Sequence, residues 1–111
     1  MEVCVDSLES VIAAYEGGAS RVEVCSSLNE GGLTPTLGLL RSSQNFLVKQ
    51  DKPRPFGLHC MIRCRAGDFN YSDNELETMN EDLKRFVETE LADGIVFGAL
   101  TPEVIFFTYM N

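Results

Sequence analysis

Three short segments alternate polar and apolar residues with a period of two, and each leads into a helix signal. Glu2, Cys4 and Asp6 face one way, and Val3 and Val5 the other. Arg21, Glu23 and Cys25 oppose Val22 and Val24 in the second segment. His59, Met61 and Arg63 oppose Leu58, Cys60 and Ile62 in the third. Period two is the signature of a strand with two unlike faces.

Helix signals fill the gaps. Ser7 caps a segment whose Leu8, Val11, Ile12 and Tyr15 fall at i, i+3, i+4 and i+7, and Gly17-Gly18 closes it. Residues 26–34 read as a glycine-bearing loop. Thr34-Pro35 is expected to be an N-cap and first-turn proline, opening a helix through Leu37, Leu40 and Leu47. After a charged connection and the third strand, Cys64 begins a long loop. Ser72-Asp73-Asn74-Glu75 forms a capping box before Leu76, Met79, Leu83, Phe86 and Val87. A fourth strand is expected over residues 95–98.

The order β-α-β-α-β-α-β specifies a parallel sheet with right-handed crossovers. In an open doubly wound sheet, helices cover both faces and the strands are apolar throughout. Here one face is polar in three strands. A closed barrel accounts for that, with its apolar face toward the helices and its polar face lining the interior. The expected fold is therefore an α/β, TIM-like (β/α) barrel, incomplete, with about four strands and three helices. An open sheet is the alternative.

Composition narrows the function. Net charge is −8, from 17 acids against 9 bases. That argues against nucleic acid and against an anionic membrane as partners. Residues 95–110 are apolar but short for a membrane span, and Pro102 and Glu103 interrupt them. Met1 runs into Glu2-Val3-Cys4 without a basic leader, so the expectation is a cytoplasmic protein whose four cysteines are thiols or metal ligands.

Glu-Val-Cys occurs twice, at residues 2–4 and 23–25. With the two strands paired in that register, Cys4 and Cys25 would lie about 5 Å apart. Cu(I) is soft and selects thiolates, and two sulfurs suffice for it. The plainer alternative is two small core residues. Glu2, Glu23, Arg63 and Asp68 are candidate catalytic residues, placed to bind a small polar or anionic metabolite at the carboxyl ends of the strands. An interior ion network is the plainer account of them. Cys60 alternates onto the helix side and reads as structural, and His59 as interior packing. Glu30, Thr34 and Tyr71 lie on loops that follow strands. Gly31-Gly32 is no phosphate-binding fingerprint.

Six ordered segments resemble the CutC copper homeostasis family. They are Glu2-Val3-Cys4-Val5-Asp6-Ser7, Arg21-Val22-Glu23-Val24-Cys25, Glu30-Gly31-Gly32-Leu33-Thr34-Pro35, Met61-Ile62-Arg63, Gly67-Asp68-Phe69 with Tyr71-Ser72, and Ala92-Asp93-Gly94-Ile95-Val96-Phe97-Gly98. The resemblance implies a TIM-like (β/α)₈ barrel, a cytoplasmic and nuclear location, homo-oligomers, and Cu(I) held by Cys4 and Cys25. It implies no defined enzymatic activity. Cys64 stands where the family has proline. The family's chains also continue well beyond a fourth strand, so residues 1–100 match its amino-terminal portion and 101–111 form a divergent apolar tail. On that reading the chain is a truncated isoform, and an inactive product is a further alternative.

Overall fold

The computed structural model describes residues 2–52, 54–100 and 104–110; for residue 2 and from residue 98 onward it describes only the backbone. The elements are β1 (Glu2–Val5), α1 (Leu8–Glu16), β2 (Arg21–Val24), α2 (Leu37–Val48), β3 (Gly57–Ile62), α3 (Asp73–Thr89), β4 (Gly94–Leu100) and β5 (Val104–Met110). A single 3₁₀ turn, Leu28–Glu30, sits in the loop after β2.

Strand order is β1-β2-β3-β4-β5. The first four pair in parallel, each with its successor. A doubly wound sheet reverses its strand order part-way, placing helices on both faces. Here the order never reverses, so right-handed crossovers keep α1, α2 and α3 on one face, as in a barrel wall. The expected incomplete α/β barrel is observed. It carries one strand more than expected: β5, from the apolar tail, runs antiparallel along β4 from Gly94↔Met110 to Leu100↔Val104. The pairing of the tail had no legible signal, because Pro102 and Glu103 break the apolar run.

Local chemistry sets the helix ends. The Ser7 hydroxyl accepts from the Ser10 amide at 3.1 Å, and Gly17 terminates α1. The box at α3 is reciprocal: Ser72 Oγ accepts from Glu75 N, and Glu75 Oε1 accepts from Ser72 N. At α2 the expectation is corrected. Thr36, not Thr34, is the N-cap, accepting from Leu39 N at 3.1 Å. Thr34 is instead taken up by the residue after β3: its Oγ1 accepts from Arg63 N and donates to Arg63 O.

The core lies between the sheet and the helices. Val5, Val22, Val24, Leu58, Cys60, Ile62 and Ile95 point from the strands, and Val11, Leu40, Met79 and Phe86 meet them from the helices. Arg54 staples the base of this layer, donating to the Ala19 carbonyl at 2.8 Å and stacking over Tyr15. Among the described residues, no helix is long and apolar enough to cross a membrane.

Candidate functional site

Register decides which side chains meet on the inner face. Pairing sets Glu2 opposite Arg21 and Cys4 opposite Glu23. It then sets Glu23 opposite His59, and His59 opposite Gly94. Inner-face residues thus form rows across the sheet, and one row reads Cys4, Glu23, His59, Gly94. The repeated Glu-Val-Cys is offset by two residues from this pairing, which corrects the 5 Å expectation. Cys4 has Glu23 beside it, and its Sγ donates to Glu23 Oε2 at 3.4 Å. Cys25 lies one row higher on the same face, so the two Cα atoms are diagonal neighbours about 8 Å apart.

The two thiols differ in setting. Cys4 is exposed, whereas Cys25 is buried. The Cys25 amide donates to Val5 O at 2.9 Å, continuing the β1–β2 ladder past the end of β2. Its Sγ donates to the same carbonyl at 3.4 Å. Burial pushes the Cys25 thiol up to about 11, and negative charge at Cys4, Asp6 and Glu23 pushes in the same direction. Anions are disfavoured here, and a bound cation would relieve that field. Among the described residues, no group of three or more His, Cys, Asp and Glu side chains is gathered closely enough to hold a metal ion. The soft donors on this face include the Cys4 and Cys25 sulfurs. Two thiols on one face, one row apart, fit low-coordinate Cu(I) in chemistry.

Cys60 points to the other face, is fully buried, and is pushed up to about 12 by burial and then by Asp82. It is a core residue, as its alternation indicated. Cys64 is half-buried against the core, and burial followed by the Glu75 charge raises its thiol. His59 is buried, only 3% exposed, within the inner face.

The charged candidates are largely occupied in building loops. Arg63 donates to the carbonyls of Glu30 and Gly32 through Nη1 and of Gly67 through Nη2, and lies over the Phe69 ring. It clips the loop after β2 to the loop after β3. The Asp68 carboxylate accepts from Asn70 N at 2.9 Å and meets Arg65 at 3.5 Å. Arg65 also grips Glu75, holding that carboxyl below its usual range. Glu23 faces Cys4. The Glu2 side chain lies outside the described residues. An apolar cleft of about 480 Å³ opens between α3 and β3–β4, lined among the described residues by apolar side chains and Asn80.

Two features escaped the sequence reading. Arg63 is a loop clip, which only the meeting of two distant loops reveals. Met61 was assigned to the inner face, but nothing in the chain told which sulfur stands beside it.

The CutC family model matches residues 1–106. The human protein named copper homeostasis protein cutC homolog is 52% identical over 103 residues, covering 93% of this chain and 35% of that one. The Drosophila melanogaster homolog is 48% identical over 104 residues, covering 93% and 36%. A CutC family protein of Bacteroides fragilis is 47% identical over 100 residues, covering 90% and 37%. The crystal structure of CutC from Streptococcus agalactiae superposes with a TM-score of 0.77 at 37% identity, covering 90% of this chain and 45% of that one. The chain thus spans little more than a third of the length of these curated relatives.

Proposed function

The chain belongs to the CutC family, and from that premise we propose that it serves copper homeostasis by binding Cu(I) through Cys4 and Cys25. One observation carries the reading: an exposed and a buried thiol share the inner face of adjacent parallel strands, within a field of carboxylates. Copper is cargo in this account, and each residue has a separable part. Cys4, at the surface, is the first sulfur an arriving ion meets. Its proton already points at Glu23, which can accept it as the metal–sulfur bond forms. Cys25 supplies the second sulfur from a site closed to water, where the Val5 carbonyl holds the thiol until metal replaces the proton. A reducing cytoplasmic setting suits the role, since it keeps both groups as thiols and copper as Cu(I).

The reading competes with catalysis on a small metabolite. That alternative needs a free charged cluster, and Arg63 and Asp68 are committed to loop carbonyls, amides and Arg65. A competition titration against a chromogenic Cu(I) chelator tests the proposal. Cys4→Ser and Cys25→Ser are expected each to abolish stoichiometric Cu(I) uptake while keeping the far-UV circular dichroism of the parent. Parental affinity in both variants sinks the proposal.

A further inference from the structure

The row above Cys4 contains a second kind of sulfur. Val24 pairs with Cys60, so the next step along the same ladder sets Cys25 beside Met61. The loop after β2 then folds back over this pair. Ser26 and Leu33 exchange amide–carbonyl bonds of 2.8 and 2.7 Å, closing the loop on itself. Gly32 is thereby laid against the sheet in a left-handed conformation, φ +91°, and Arg63 Nη1 holds its carbonyl at 3.2 Å.

Gly32 measures how close the sulfurs are. A Cβ added there would lie 3.1 Å from Met61 Sδ and 3.3 Å from Cys25 Sγ. Both sulfurs therefore crowd one point, and their separation cannot exceed the sum of those distances. Only a residue without a side chain leaves that space open. Cys25 is closed to water, while Met61 is part-exposed on the inner face. The thioether stands at the open side of the buried thiol.

Resting on the copper reading above, we propose that Met61 Sδ is a third sulfur donor, completing a shell of two thiolates and one thioether beneath the Gly31–Gly32 loop. Thioether sulfur is soft and neutral, a match for Cu(I) and a poor one for Zn(II) or Mg(II). On binding, the Cys4 and Cys25 thiols each release one proton, and Met61 releases none. The site's net charge falls by one when Cu(I) replaces two protons, and the third donor adds no charge to a region already rich in carboxylates. Two sulfurs a row apart leave one side of the ion bare, and Met61 Sδ is the soft donor that the Gly32 contact places beside Cys25.

The test uses the whole chain loaded with one equivalent of Cu(I). X-ray absorption is expected to count three sulfur neighbours in the parent and two in Met61→Leu, a variant that keeps the side chain's bulk. Chelator competition is expected to show Met61→Leu weaker by about tenfold or more. With methyl-labelled methionine, the resonance missing from Met61→Leu is expected to be the one that shifts when the parent takes up Cu(I). Two sulfurs in the parent overturn the inference even if the leucine variant fails to fold, and an unmoved Met61 methyl overturns it where that variant folds. In that case loss of binding in Cys4→Ser and Cys25→Ser still upholds the two-thiol reading. A parent that takes up no Cu(I) overturns both.

Discussion

The two faces of the parallel sheet are built by different means. The outer face is finished locally: β1, β2 and β3 are each followed by a helix, the helices pack on that face, and Leu58, Cys60, Val22 and Val24 are fully buried. The inner face has no such cover within a β/α unit. Cys4 and Asp6 are exposed there, Glu23 and Met61 half-buried, His59 buried, and Cys25 lies beneath a loop that folds back over it. Burial on the outer face is a matter of sequence neighbours. On the inner face it depends on register and on whatever crosses the mouth. The contrast teaches that the same residue type can serve opposite ends. Cys25 and Cys60 are both buried thiols with raised pKa, yet one faces Cys4, Asp6 and Glu23 and the other sits in the apolar core with Asp82 as its charged neighbour.

Truncating an outer-face strand residue breaks the contrast most severely. Leu58→Ala is expected to cost about 2–5 kcal/mol in denaturant unfolding, because it leaves a void in the fully buried layer between sheet and helices. A cost under about 1 kcal/mol would mean the outer layer is loose, and the two faces less distinct than drawn.

A smaller effect sharpens the difference between the thiols. Folding favours the neutral form of Cys60, whose pKa rises from the usual value near 9 to about 12. Its contribution is complete below pH 9 and is lost as pH climbs from 9 toward 12, because the unfolded chain ionises first. The loss approaches about 1.4 kcal/mol per pH unit for each such thiol. Cys60→Val is expected to flatten that alkaline decline in unfolding midpoints taken between pH 8 and 11. An unchanged slope would assign the decline elsewhere.

The smallest effect is on the inner face. Cys4 is exposed, so Cys4→Ser is expected to change stability by no more than about 0.5 kcal/mol. A larger loss would show that Cys4 is structural, and its role toward copper would have to be weighed against that.

Much of this architecture is legible in the chain. The capping residues Ser7 and Ser72 mark α1 and α3 because capping is a contact across three residues. The alternation marks β1, β2 and β3 because a pleat needs only two. Thr34 misled, since Thr36 caps α2 while Thr34 bonds to Arg63, 29 residues away. A threonine before a proline carries the same local signal whether a helix or a distant strand takes it. The candidate site followed the same division. The alternation sets Cys4, Glu23 and Cys25 on one face, and the ladder agrees, but not on their neighbours: the repeated Glu-Val-Cys suggests a lateral cysteine pair, and the ladder pairs Cys4 with Glu23.

Sequence alone determined which face each strand residue takes, where most helices begin, and that the polar face carries acids and sulfurs. Those are short-range consequences of pleat geometry, capping and hydrophobic period. Tertiary structure decided the register between strands, the return of the loop that seats Gly32 on Cys25 and Met61, and the addition of β5 to the edge at β4. The parallel register rests on hydrogen bonds between segments far apart in the chain, and a slide of two residues keeps every face the same while changing every neighbour.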